Sequence, residues 1–193
     1  MATGRVYLGF SRSTGGFFAR VIGWLIRRAT GGKVNHAFFL YYSELAACWM
    51  TLGANARGVG DVPLDEFLHS RQIVDLWLPR DGSFQPAIAE LHDKIGVPYN
   101  YSGLFFMAVV EIARRLGVKH PENWLSDPQA EFCSEYCAQV VARAPLGKGA
   151  NALQIGIYRK HSDTIDPAML DDMVRKSGAL IWFSQTQATA RVT

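Results

Sequence analysis

The hydrophobic pattern changes period partway along the chain, and that change limits the fold more than any single residue does. Up to Leu78 the apolar runs are short, rich in aromatic and β-branched residues, and cut by glycine. Arg5 to Phe10, Val34 to Tyr42, Ala46 to Leu52 and the alternating Gln72 to Leu78 each read as a strand. One helix interrupts them, Phe17 to Arg28, with Phe17, Phe18, Val21, Ile22, Leu25 and Ile26 on one broad face and Gly31-Gly32 ending it. Gly53 to Gly60 reads as a turn, and Val62 to Phe67 as a strand end running into a short helical turn. From Phe84 onward the spacing is helical: Ile88, Leu91 and Ile95, then a very apolar helix over Ser102 to Leu116, then Glu131 to Ala144. Ile165-Asp166-Pro167 is a helix start for Met169 to Lys176, and Leu180 to Phe183 is expected to add a last strand. Strands first and helices later imply an α+β fold. With no internal repeat, low-complexity linker or boundary, a single domain is expected over 1–193, with its core at about 5–183 and a loosely held tail at 184–193.

Composition narrows the functional classes. At 193 residues, 49% hydrophobic and 19% charged, the chain can build one real core. A net charge of +3, with only a short basic cluster at Arg20, Arg27, Arg28 and Lys33, argues against nucleic acid as partner, since no base-reading or phosphate motif accompanies it. Phe17 to Ile26 and Leu104 to Ile112 are the longest apolar stretches, and both fall far short of the roughly 20 residues of a membrane span. The N-terminus lacks the charged start and apolar stretch of a signal peptide, so synthesis in a cytoplasm is expected. Three cysteines do not make a disulfide framework, and without a second pair of ligands Cys133 and Cys137 make no zinc site, so neither cofactor nor metal is expected.

The residues that could carry chemistry are Cys133 and His36. A thiol becomes a nucleophile as its thiolate, and a helix N-terminus or a nearby imidazolium lowers its pKa from about 8.5. Cys133 stands near the start of a predicted helix. Either Asp127-Pro128 caps that helix and Cys133 falls in its second turn, or residues 128–132 approach in extended form and the helix begins at Cys133; only the second aims the dipole at the sulfur. Cys48 within a strand and Cys137 deeper in the helix read as buried thiols. His36 interrupts the apolar run Val34-Asn35-His36-Ala37-Phe38-Phe39-Leu40, where an imidazole either finds a polar partner or acts as a base. His69, His92, His120 and His161 lie in polar stretches and read as surface residues.

The order of these pieces carries a resemblance. A strand opening with Asn35-His36-Ala37 leads to Leu52-Gly53-Ala54, Arg57-Gly58-Val59 and Val62-Pro63-Leu64; Gly96-Val97-Pro98-Tyr99 and Phe132-Cys133-Ser134-Glu135 follow. Over roughly residues 5 to 145 this resembles the circularly permuted branch of the NlpC/P60 papain-like superfamily. That branch includes the YiiX/YaeF-like proteins and the related lecithin:retinol acyltransferase group, with phage and prophage members. The resemblance implies a papain-like α+β fold in which a barrel-like antiparallel sheet packs against helices. It implies Cys133 as nucleophile, His36 as general base and Tyr99 as a contributor to oxyanion binding. The family often orients its histidine with a glutamate on the second strand; here Gly53 falls at that place, and Asn55 or Thr51 could substitute.

The activity so implied is a cysteine peptidase or amidase on peptidoglycan stem peptides, reaching its substrate from a phage particle, through a lysis pore or by a secretion machine, with other proteins of that machinery as partners. Two alternatives stand beside it. One is a thiol deacylase or acyltransferase on lipid or thioester substrates, with the apolar Leu104 to Ile112 and the tryptophans Trp24 and Trp124 lining an acyl groove. The other is a catalytically weak structural component of a phage particle.

Overall fold

A computed structural model describes residues 5–55, 58–98, 133–160 and 164–183 of the chain. In chain order its regular elements are β1 (Tyr7–Ser13), α1 (Phe17–Thr30), β2 (His36–Ser43), β3 (Cys48–Asn55), β4 (Gly58–Pro63), α2 (Leu64–Ser70), β5 (Arg71–Pro79), α3 (Gln85–Glu90), α4 (Cys133–Arg143), α5 (Asn151–Lys160), α6 (Pro167–Ser177) and β6 (Leu180–Phe183). The strands form one antiparallel sheet in the order β4-β3-β2-β1-β5-β6, with helices packed against it, so the α+β class expected from the hydrophobic pattern is found.

The barrel-like closure does not form. Closure requires the two end strands to pair, but β4 and β6 lie at opposite ends with four strands between them. The stretch read as a turn is also corrected. Gly58 to Pro63 is a sixth strand, β4, entered opposite Asn55 and paired as far as Met50↔Pro63. Its glycines suppress the strand signal without preventing pairing, because the backbone supplies the ladder hydrogen bonds. The helix expected over 102–116 and the tail at 184–193 lie outside the described residues.

Alternation along the strands produces two apolar faces. Leu8, Phe10, Ala37, Phe39, Leu52 and Trp77 point to the larger core, where α4 contributes Cys133, Tyr136, Cys137, Val140 and Val141. Those helix positions recur at three and four residues, so one face of α4 lies on the sheet. Tyr7, Phe38, Leu40, Ile73 and Leu76 point to the opposite face, which Phe67 of α2 covers. Between Ile73 and Leu76 the alternation of β5 slips, because Phe10 pairs with Asp75 while Ser11 pairs with Ile73, leaving Val74 as the extra residue of a bulge.

The helix ends follow local rules. Asp166 accepts a hydrogen bond from the backbone N–H of Met169 at 2.8 Å, with Pro167 in the first turn, so α6 starts where the sequence indicates. The last turn of α4 is satisfied from outside: the Gln154 amide of α5 donates to the carbonyls of Val141 at 3.0 Å and Ala144 at 2.7 Å.

Candidate functional site

The strand carrying His36 is fixed at its entry before the imidazole is reached. The backbone N–H of Asn35 donates to the carbonyl of Ser11 at 3.0 Å. The Asn35 side chain then accepts from the N–H of Ser13 and donates to the Ser13 hydroxyl, both at 3.2 Å. His36 opens β2 opposite Ser11 and is buried. Its ring stacks along Phe38 of its own strand, with centroids 6.1 Å apart and planes 14° from parallel, and lies 5.9 Å from the ring of Phe67 in α2. Burial, and then the nearby positive charge of Arg71, hold its pKa well below the ordinary imidazole value. His36 is therefore a neutral imidazole in an aromatic pocket on the α2 face of the sheet.

Cys133 opens the described part of α4. The segment 128–132, which decides between a capped and an extended approach, lies outside the described residues. The side chain is 1% exposed and belongs to the core on the side of Ala37 and Phe39. The two expected partners are thus separated by the sheet: His36 points with Phe38 to one face, and Cys133 packs with Ala37 and Phe39 on the other. Asn55 closes β3 and is half-buried. The β2–β3 register, which runs from Ser43↔Cys48 to Phe39↔Leu52, sets Asn55 across from His36 when continued, on the His36 side. Thr51 is committed elsewhere, its hydroxyl donating to the carbonyl of Val62 at 3.0 Å. Gly53 backs onto Phe38, whose Cα and Cβ would each lie 3.5 Å from a side-chain carbon built there. Tyr99 lies outside the described residues.

Burial, with the charge of Cys133 beside it, raises the Cys137 thiol well above its usual value, which fits its reading as a core thiol. A polar cluster on the α4 face went unsingled in the sequence. Burial and then Asp61 of β4 push the Tyr41 hydroxyl above the ordinary tyrosine range. Tyr136 of α4 is raised likewise, by burial first and then by Cys137, Asp61 and Tyr41. The available signal was Asp61 itself, an acid inside a strand one residue after Gly60. Among the described residues no group of three or more acids, cysteines or histidines could hold a metal ion, and no helix is long and apolar enough to cross a membrane.

The state of His36 makes stability pH-dependent in a defined direction. Its folded pKa lies below its unfolded value of about 6.5, so the stabilising preference for the neutral form is present above that pH and is lost as pH falls below it. Urea melts between pH 7 and pH 5 are expected to lose up to about 1.4 kcal/mol per pH unit through this group. His36→Phe, which keeps an aromatic ring beside Phe67, is expected to flatten that slope; an unchanged slope would locate the titration in another residue.

No protein-family model, curated protein or solved structure matches the chain.

Proposed function

We propose that the chain is a cysteine hydrolase of the permuted NlpC/P60 kind, cleaving amide bonds in peptidoglycan stem peptides after delivery by a phage particle or a secretion machine. The observation that supports this most is the placement of α4. The helix opening with Cys133-Ser134-Glu135 packs on the strand that starts at His36, in the chain order that the resemblance requires. In the reaction the Cys133 thiolate attacks the amide carbonyl, and backbone N–H groups at the start of α4 stabilise the oxyanion. The amine departs with the proton lost by the thiol, and water then hydrolyses the thioester. His36 is the proton carrier in this scheme. It serves only with its ring on the α4 face, turned away from the Phe38 and Phe67 rings beside which it lies in this structure.

A second reading has a specific observation in its favour. With His36 and Cys133 on opposite faces of β2, and Gly53 where an orienting acid would stand, the fold would serve as a binding or structural module of a phage particle without turnover.

Alkylation by iodoacetamide at neutral pH, mapped by mass spectrometry, separates the two. Exposure alone ranks half-buried Cys48 first and leaves the buried Cys133 and Cys137 slow and alike. The hydrolase reading expects Cys133 to react at least about tenfold faster than Cys137, because thiolate content sets the rate. Equal rates at Cys133 and Cys137 would favour the module.

A further inference from the structure

Where the C-terminal end of α1 meets β1 and β5 lies a cavity of about 310 Å³ whose described charged lining is entirely basic: Arg12 of β1, Arg27 in the last turn of α1, and Lys33 just beyond it, with Gln72 of β5 and the backbone of Gly32. The volume is at the low end of the roughly 300–1,000 Å³ of small-molecule sites. We infer that this cavity binds a small, multiply charged oxyanion, a phosphate group, between the C-terminal end of α1 and the paired strands β1 and β5.

Three observations carry the inference. First, Nη1 of Arg27 is buried and has no hydrogen-bond partner among the described residues. The dipole of α1 accounts for basic residues in its last turn, but it does not supply an acceptor for a guanidinium nitrogen removed from water, and such a group is expected to have one. Second, Arg12 is held by a side-chain hydrogen bond and the backbone leading to Lys33 is fixed. Arg12 Nε donates to Gln72 Oε1 at 2.8 Å across a directly paired position of β1 and β5. Gly31 ends α1 in the left-handed conformation at φ 74°, its N–H bonded to the Arg27 carbonyl at 2.9 Å. Gly32 then presses on α6 so closely that a side-chain carbon would come within 2.1 Å of Ala168 Cβ. Lys33 is thereby presented from a fixed turn. Third, the acids nearby, Asp75, Asp166, Asp171 and Asp172, line the adjoining cavity of about 790 Å³, which also holds Arg175 and shares Gly32, Lys33 and Val74, and none of them lines the basic one.

Like charges drawn together on a fixed frame repel, and an oxyanion among them both relieves the repulsion and gives the guanidinium its acceptor. A phosphate carries more charge than a carboxylate and has an oxygen for each of the three cations, so it is the better match. The site is separate from Cys133 and stands whether or not the thiol is catalytic.

Calorimetric titration of the full chain with inorganic phosphate tests this, with acetate as the carboxylate arm and ionic strength held constant by chloride. Saturable binding of one phosphate per chain is expected, weakened about tenfold or more by Arg27→Gln or Lys33→Gln and changed less than about twofold by Arg28→Gln, which lies outside the cavity. Should Arg27→Gln fail to fold by circular dichroism, Arg12→Gln and Lys33→Gln carry the test, both being exposed. Absence of saturable phosphate binding, or wild-type affinity in the cavity variants, overturns the site. Acetate binding as tightly as phosphate overturns the assignment to phosphate.

Discussion

Cys133→Ala is expected to bring release of soluble fragments from purified cell wall down to background while leaving the fold intact. Removing a covalent nucleophile costs on the order of 10⁶-fold in kcat where it has been measured. The structural cost should be small, because a buried thiol replaced by a methyl loses little volume and no strong hydrogen-bonding group. His36→Gln belongs beside it. A general base contributes about 10²- to 10⁴-fold, so an active wild type whose His36→Gln variant loses that much would place the imidazole on the α4 face during turnover. An active wild type that keeps its rate in His36→Gln would assign the base elsewhere and leave His36 as a buried neutral ring beside Phe67. Full clearing by Cys133→Ala would end the hydrolase reading at this residue.

Phe39→Ala is expected to cost roughly 3–5 kcal/mol of stability, read as a shift of the urea midpoint at constant slope. Phe39 is fully buried in β2 and meets Phe84 just before α3, with ring centroids 5.2 Å apart, and Tyr136 of α4 at 6.4 Å. It thus links the sheet to the helix that carries Cys133. Phe39→Leu keeps most of the volume and should cost less, about 1–2 kcal/mol. A loss below about 1 kcal/mol in Phe39→Ala would mean that α4 does not depend on this contact.

Which parts of this architecture could be read in the sequence follows from how each part is encoded. Asp166-Pro167 marks a helix start in two residues, and α6 begins there. The strand at Leu180–Phe183 and the alternating run at β5 were legible for the same local reason. β4 was not, because Gly58 and Gly60 carry no side-chain preference for a strand and Asp61 opposes one. Asn151–Lys160 was passed over because Gly156 and two terminal basic residues dilute its apolar face. Closure of the sheet depends on whether its two end strands meet, a non-local outcome that no window of sequence contains.

The face of His36 was hidden for a different reason. Alternation ties it to Phe38 and Leu40 from the sequence alone, but β2 is apolar on both sides: Ala37 and Phe39 are as buried as Phe38 and Leu40. Without a polar side, parity has no sign. The address of Cys133 was half-legible. Its position on the buried side of a helix follows from Cys137, Val140 and Val141 at helical spacing, whereas the face of the sheet that this helix chooses does not.

The place of β6 also bears on how the chain is made. It pairs with β5 along Pro79↔Leu180, so the two strands are about a hundred residues apart in the chain. At a ribosomal rate of roughly 5–20 residues per second, β5 waits about 5–20 s after its own synthesis before its outer neighbour exists. Throughout that interval β1 to β5 can assemble from contiguous chain, while the outer edge of β5 has hydrogen-bonding groups with no strand to receive them. During biosynthesis that edge is where a nascent chain of this protein would be most in need of a chaperone.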